Sequence, residues 1–381
     1  MFPRRGVDPC QGEDSNRLMS ILLDEGQQAI ATESRRIVDA RENKAKLLSL
    51  IEADGQFDAD WWAMCREQGW TAVALPEQFG GLGLGLVELG QVALAVGAGI
   101  AGAPFLTSNY GAAQAILNYG QDATKQHWLP LLASGDAIGA VAFAEGQNPL
   151  PHHPTVTFSD GKLNGVKPAV SAALHADVVV VLADAGGKPA LVMAQLADVK
   201  RERLETFDNS RGTANLHFSD TPAELLETGD ALKAGLEILA RQSIVTAHEQ
   251  VGGAEKTMLI ARDYANTRKA FGQLIGAFQA VKHRIAELYG LVEIARANAL
   301  HAAANADGPD LVKNAAAARI AATDAYDTSA RDSMQLHGGI GVTWETGLHL
   351  HQRRTRTLAL EQGNLLFWED VLVNELTGEV A

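Results

Sequence analysis

The chain has 381 residues, of which 46% are hydrophobic and 20% charged, a composition typical of a globular protein too long for one ordinary core. Its net charge of −14 argues against nonspecific nucleic-acid binding, and no apolar run is long enough to predict a membrane span. Cys10 and Cys65 have neither metal-site nor disulfide spacing. We therefore expect a cytoplasmic protein with no metal site, nucleic-acid partner or membrane partner.

Residues 1–18 lack the apolar segment of a secretory signal, so a disordered extension is predicted there, and either Met1 or Met19 could be the true start. From residue 19 to 134, apolar residues recur at spacings of three, four and seven, which predicts a helical domain. Inside it, the glycine-rich passage from Pro76 to Leu84 indicates a tight turn between helices.

Between residues 135 and 230 the pattern changes to short β-rich runs, separated by turn signals such as Ser159-Asp160-Gly161. The runs predict strands at residues 138–143, 155–158, 178–182, 190–193 and 214–218. Hairpins of an antiparallel barrel or sandwich are expected. From residue 231 to 381 long helical patterns return and predict a bundle. The predicted fold class is thus α+β multidomain, with an N-terminal all-α domain, a middle antiparallel β-barrel or sandwich domain and a C-terminal four-helix-bundle-like domain.

Within the C-terminal region, the stretch from Arg262 to Gln279 places an irregular basic, aromatic and glycine-containing turn between two helical runs. Arg268 offers a planar fork of donors that matches pyrophosphate oxygens, and Phe271 and Phe278 offer ring faces to a flat heterocycle. Gln279 could hydrogen-bond a ring edge or a ribose. The alternative is a plain helix bend with core phenylalanines and a solvated arginine.

A second passage, Gln335 to Thr343, carries three glycines directly after a helical stretch. A helix C-cap accounts for one glycine, and a close approach of the backbone to a ligand accounts better for the others.

Both passages resemble acyl-CoA dehydrogenases, whose signatures read Y-x-x-x-R-x-x-F-G-x-x-I-x-x-F-Q and Q-x-x-G-G-x-G. The resemblance covers nearly the whole chain after residue 19 and implies bound FAD, an acyl-CoA substrate, an electron-transfer flavoprotein as partner, and a homo- or hetero-oligomeric dimer or tetramer. It further implies cofactor sites that straddle subunit interfaces. The residues expected to bind FAD are Arg268, Phe271, Phe278, Gln279, Gln335, Leu336, Gly338, Gly339, Ser171 and Asn364.

The catalytic base is the point at which the sequence departs from this family. Oxidising an acyl thioester requires a carboxylate that removes the α-proton while the flavin accepts the β-hydride. Alignment from the glycines places Gln362 at the usual base position, and the alternative position on the preceding helix is held by Gln242. We expect Glu361 to be the base through a one-residue deletion; the alternatives are Glu249 or no base at all. Glu361 could equally be a structural acid paired with Arg354 or Arg356.

The middle domain also departs from the family pattern. The family's T-E-x-x-x-G-S-D passage is replaced by residues 143–149, and Ala169 stands where an aromatic residue usually packs on the flavin, although Ser171 keeps a hydroxyl. These changes affect contacts to the flavin ring more than contacts to the pyrophosphate.

The resemblance therefore implies an FAD-dependent acyl-CoA dehydrogenase that introduces an α,β double bond and passes electrons to an electron-transfer flavoprotein. One alternative is a base-lacking subunit of a heteromeric acyl-CoA dehydrogenase, acting on bulky acyl-CoAs such as steroid side chains, that completes a partner's FAD site. The other is a flavin monooxygenase-type relative.

Overall fold

The computed structural model describes residues 23–41, 44–52, 58–100 and 105–378. The extension predicted over residues 1–18 and the choice between Met1 and Met19 fall outside these residues. Within the described part of the chain, every helix is too short or too polar to span a bilayer.

The described residues of the N-terminal part form six α-helices. They are α1 Glu25–Ala40, α2 Lys44–Glu52, α3 Ala59–Glu67, α4 Leu86–Ala98, α5 Phe105–Tyr119 and α6 Asp122–Ser134. Helix α1 begins with a capping box, in which the Asp24 side chain and the Gln27 side chain each bond the other residue's backbone N–H. The glycine-rich passage after α3 forms a tight turn, as predicted, with Gly80 at a φ of 80°.

The middle part contains seven strands. They are β1 Gly139–Ala142, β2 Thr157–Ser159, β3 Lys162–Val170, β4 Val178–Asp184, β5 Pro189–Gln195, β6 Lys200–Arg203 and β7 Ala214–Leu225. The strands β4, β5, β7, β3 and β2 pair in a closed circuit, with β1 added to β4 and β6 to β7. The sheet is only partly antiparallel, because β1 and β2 both run parallel to β4.

Strand β4 explains why this part folds as it does. Its apolar run is buried on both faces: Val178, Val180 and Leu182 join a core shared with the helices, while Val179 and Val181 join a second core. A continuous apolar run is what a strand covered on both sides requires.

The C-terminal part is helical, as predicted, and is built on α7 Ala231–Thr267, α8 Gln279–Ala304, α9 Leu311–His337, α10 Leu348–Leu358 and α11 Leu365–Thr377. Between α7 and α8 lies a two-stranded hairpin of β8 Lys269–Ala270 and β9 Gln273–Leu274. Helix α7 packs on α4 backbone to backbone. A Cβ at Gly252 would come within 1.9 Å of the Leu94 carbonyl oxygen, so only glycine permits this approach.

His248 of α7 lies in the same contact, against Gly90 of α4. Its Nδ1 lies 2.8 Å from the Ile244 carbonyl oxygen, and burial lowers the pKa of the imidazole from 6.5 to about 4. As the pH falls, the His248 imidazole becomes protonated at a higher pH in the unfolded chain than in the folded chain. The contribution of neutral His248 to folding stability is therefore complete above pH 6.5 and is lost as the pH falls towards the folded pKa.

We accordingly expect the free energy of unfolding to fall by roughly 3 kcal/mol between about pH 6.5 and pH 4 on account of this one group. Urea unfolding at several pH values measures the slope. His248→Gln, which does not titrate, should flatten it over about pH 5 to 6.5. An identical slope in the variant would contradict the assignment.

Candidate active site

A cavity of about 840 Å³ lies where the sheet meets the helices. Its walls come from α5, α7, strand β1 and the loop after it, the end of β3, the loop between β6 and β7, and the segment from the end of α10 to the start of α11. The wall is largely apolar, with a few polar side chains converging on it. Ala169 lines the cavity together with the polar and charged residues Ser108, Ser171, Glu205, Thr206, Gln242, Arg356, Glu361, Gln362 and Asn364.

Both carboxylate oxygens of Glu361 accept hydrogen bonds from side chains of this chain. Arg211 binds it in a fork, with Nε 3.0 Å from Oε1 and Nη2 2.5 Å from Oε2, and the Ser171 hydroxyl donates to Oε1 at 2.8 Å. Burial opposes ionisation of Glu361, but the charge of Arg211 and these hydrogen bonds outweigh it, so the pKa of the carboxyl lies below its usual value. A carboxylate held in this way is a weak proton acceptor.

Glu361 is not paired with Arg354 or Arg356, the partners that the sequence suggested for a structural acid at this position. Arg356 instead lies 3.1 Å from Asp327, and Arg354 binds Asp208 and Glu249. Nothing local in the sequence pointed to Arg211, which is 150 residues away from Glu361 along the chain.

These contacts belong to a larger buried cluster, in which Arg211 and Arg354 pair with the carboxylates of Asp208, Glu249 and Glu361, and a third arginine, Arg319, lies nearby. Arg354 Nε lies 2.6 Å from Asp208 Oδ2, and Arg354 Nη1 lies 2.9 Å from Glu249 Oε1. Arg211 Nη1 also reaches Glu249 Oε1, at 3.2 Å. Glu249, the alternative base, is held by both arginines and is not among the described residues that line the cavity.

Arg319, the third arginine, holds the end of α10. Its Nη2 donates to the carbonyl oxygens of Leu358 and Glu361, the latter at 2.8 Å, and burial lowers its pKa to about 10. A cation at the C-terminal end of a helix is favourably placed. Arg319 therefore fixes the turn that carries Glu361 and Gln362.

The amides Gln362 and Gln242, which stand at the two positions where the resemblance leads us to expect a base, both lie on the cavity wall. Gln362 takes a left-handed φ of 56°, and its Oε1 accepts a hydrogen bond from Thr246 at 2.9 Å. Gln242, on α7, donates through Nε2 to the Thr107 carbonyl oxygen at 3.1 Å. Asn364 lies on the same wall, but its side chain caps α11 by accepting from the Phe367 N–H at 2.9 Å.

The loop in place of the family's T-E-x-x-x-G-S-D passage is held by a buried ion pair. Lys167 Nζ lies 2.6 Å from Glu145 Oε1 and donates to the Phe143 carbonyl oxygen at 3.0 Å. Glu145 also accepts from the Thr155 N–H at 2.8 Å. Glu145 and Lys167 are not among the described residues that line the cavity. They hold the loop that forms part of its wall.

The other predicted cofactor-binding residues form a separate, exposed surface. The hairpin turn at Phe271 and Gly272 has φ values of 51° and 80°, and Phe271 is 96% exposed, with its ring edge-to-face to Phe278 at 6.3 Å. An exposed aromatic residue in a left-handed conformation is strained, and such strain is concentrated at functional sites.

The second glycine-containing motif lies close to this hairpin. The rings of Tyr264, near the end of α7, and His337, at the end of α9, stack with centroids 4.0 Å apart. Gly338 follows with a φ of 62°, and a Cβ at Gly338 or Gly339 would meet nothing within 4 Å. We name the following residues the grip surface: Arg268, Phe271, Phe278, Gln279, Gln335, Leu336, Gly338 and Gly339. All but Phe278 and Leu336 are exposed.

No residue of the grip surface is among the described residues that line the cavity. The structure thus divides the predicted site residues into two groups: Ser171, Glu361 and Asn364 at the cavity, and the grip surface elsewhere. Arg268 has no hydrogen-bond or ion-pair partner for its side chain among the described residues. In the same part of the chain, no three His, Cys, Asp or Glu side chains are grouped so that they could hold a metal ion.

Both the sequence and the structure of the chain are similar to those of known proteins. The profile of the acyl-CoA dehydrogenase N-terminal domain matches residues 24–136, and that of the acyl-CoA dehydrogenase C-terminal domain matches residues 232–365. Acyl-CoA dehydrogenase IpdE2 of Mycobacterium tuberculosis is 31% identical over 331 residues, which cover 87% of this chain and 91% of that protein.

Two solved structures share the fold closely. The Tcur3481-Tcur3483 steroid ACAD superposes with a TM-score of 0.84 and 25% identity, over 93% of this chain and 98% of that one. The ChsE4-ChsE5 complex of Mycobacterium tuberculosis gives a TM-score of 0.84 at 24% identity, over 95% of this chain and 100% of that one, a likeness of fold alone.

Proposed function

This chain belongs to the acyl-CoA dehydrogenase family of CH–CH oxidoreductases, and on that premise we propose that it is a subunit of an FAD-dependent assembly in which another chain supplies the base. One observation carries the proposal. Gln242 and Gln362, which stand where the resemblance leads us to expect a base, line the cavity, and the neighbouring acid, Glu361, is bound by Arg211 and Ser171.

A dehydrogenase subunit that acts on its own needs a base at the cavity. Removal of the α-proton needs an oxygen with a free lone pair and a pKa near the working pH. A neutral amide has no such basicity. Glu361 has a depressed pKa, and both of its oxygens accept hydrogen bonds from groups that are themselves buried or partly buried. Among the described residues at the two expected base positions and next to them, none therefore offers a poised carboxylate.

We propose that the grip surface holds the dinucleotide end of FAD. Arg268 presents free donors, the strained Phe271 presents a ring, and the open backbone at Gly338 and Gly339 permits a close approach. Bound FAD would supply the acceptor for the β-hydride. Because the grip surface is separate from this chain's own cavity, we infer that it serves a site shared with a second chain.

Exposed apolar side chains on two helices support an oligomer. Tyr289 and Ile294 of α8 and Leu366, Val373 and Leu376 of α11 are each more than half exposed. We propose that these side chains pack against a partner subunit. The relative named as the Tcur3481-Tcur3483 steroid ACAD supports a heteromeric assembly acting on a bulky acyl-CoA. An electron-transfer flavoprotein is the electron acceptor that we propose for it.

A second candidate keeps Glu361 as the base, because its side chain lines the cavity next to Gln362. Glu361→Gln separates the two. It preserves shape and can still accept from Ser171, but it cannot take a proton. In the assembly purified through a tag on this chain, we expect the rate of flavin bleaching by acyl-CoA, per bound flavin, to stay within about threefold of wild type.

The matched control is Glu369→Gln, which changes an exposed acid of α11. Melting temperatures recorded in parallel report the lost pairing with Arg211. A fall of about a hundredfold or more in the bleaching rate, with flavin content retained, would identify Glu361 as the base and overturn the proposed role.

A further inference from the structure

Gln242 carries a buried acceptor that the chain itself does not use. The side chain is 2% exposed, and its Nε2 is committed to the Thr107 carbonyl oxygen at 3.1 Å. Its Oε1 is buried and has no hydrogen-bond partner among the described residues. Because the Nε2 bond fixes the orientation of the amide, the unpaired atom is the carbonyl oxygen, which needs a donor.

The wall around Gln242 offers further neutral polar groups. Ser108 adjoins Thr107 on α5 and lines the cavity, and Thr206, from the loop between β6 and β7, also lines it with its hydroxyl oxygen buried and unpaired. An unpaired buried polar atom is costly, and a ligand that provides the missing partner recovers that cost.

The charges at the cavity are compensated or lie at its exposed rim. Glu361 is paired with Arg211, and Arg356 with Asp327. Glu205, the remaining charged residue of the lining, is exposed. The rest of the wall is mainly apolar, including Val141, Phe143, Val170, Leu239 and Leu360. A wall of this kind favours an uncharged, apolar ligand body over a charged one.

We propose that Gln242 determines specificity by accepting a hydrogen bond from a hydroxyl group on a bulky, uncharged and otherwise apolar ligand body. The cavity volume of about 840 Å³ suits a rigid polycyclic body. This inference rests on the proposed function in one respect, namely that the cavity is a ligand site. It adds the chemical class of the ligand, an apolar body that carries a hydroxyl group.

The test compares two probes that differ by one hydroxyl, trans-2-decalol and decalin. Each displaces the neutral dye N-phenyl-1-naphthylamine from the full-length chain, and fluorescence gives the affinity. The ratio of the two affinities in wild type is then compared with the ratio in Gln242→Leu. We expect the preference for the alcohol to fall by about tenfold in the variant, with decalin binding retained.

Gln91→Leu is the matched control, since Gln91 is a buried glutamine of α4 that is not among the described lining residues. Its affinity ratio should equal that of wild type. Gln242→Met is a second variant with the same expected loss, and retained decalin binding shows that either variant is folded. The proposal is overturned if wild type binds neither probe, or if the ratio is the same in wild type and both Gln242 variants.

This readout is independent of the proposed role of the chain. It measures neither flavin content nor turnover, so a chain that supplied its own base could still show the hydroxyl preference. Conversely, the preference could be absent while the bleaching rate of Glu361→Gln remained normal.

Discussion

Replacing Arg354 by methionine is expected to lower the free energy of unfolding by about 3–5 kcal/mol. The guanidinium lies at the centre of the buried charge cluster, and both it and the Asp208 side chain are 0% exposed. Methionine approximates the length of the arginine stem but leaves Asp208 without its ion pair and leaves Glu249 with Arg211 alone. A buried charge that loses its partner keeps the full cost of its desolvation.

The same contacts explain why the effect should reach beyond one helix. Asp208 belongs to the turn before β7, Glu249 to α7 and Arg354 to α10. The Arg354 guanidinium also donates to the Ser210 hydroxyl at 3.3 Å. Loss of Arg354 is therefore expected to weaken the packing of the sheet against the helices. The turn that carries Glu361 and Gln362 should become less rigid as a result.

Urea unfolding of the purified chain measures this effect, and Arg356→Met is its control. Arg356 lies on the same helix, but its side chain is 56% exposed and pairs with Asp327 at the surface. Its replacement should cost no more than about 1 kcal/mol. Equal losses of stability in the two variants would contradict the role given to the buried cluster.

Much of the fold could be predicted because it follows from local patterns. The change from a helical period to short β-rich runs and back marked the three regions, and β1, β2, β4, β5 and β7 lie where such runs were expected. Strands β3 and β6 were not predicted. Lys162–Val170 includes Gly165 and Pro168, and Lys200–Arg203 is entirely charged. Both strands owe their conformation to pairing with β7, which is tertiary context.

The candidate site could be predicted in part for the same reason. The grip surface comes from two compact motifs whose spacing is visible in the sequence. The binding of Glu361 by Arg211 was not predictable from spacing, because it depends on the sheet and the helices coming together. The parallel pairing of β1 with β4 was likewise a consequence of the closed circuit of strands rather than of any local signal.

Replacing Arg268 by alanine is expected to weaken FAD binding by about 10–100-fold, because hydrogen bonds from a charged donor contribute about 1.5–3 kcal/mol. The side chain is exposed and has no partner among the described residues, so its removal should leave the fold intact. Arg262→Ala is the matched control. Arg262 is an exposed arginine earlier on α7 that already pairs with Asp263 at 2.7 Å.

The most direct test of the claim that this chain holds the dinucleotide end of FAD is a titration of FAD into the deflavinated assembly, purified through a tag on this chain. The grip surface predicts that wild type and Arg262→Ala bind FAD with equal affinity and that Arg268→Ala binds it about 10–100-fold more weakly. An Arg268→Ala assembly that binds FAD as tightly as wild type would contradict the claim.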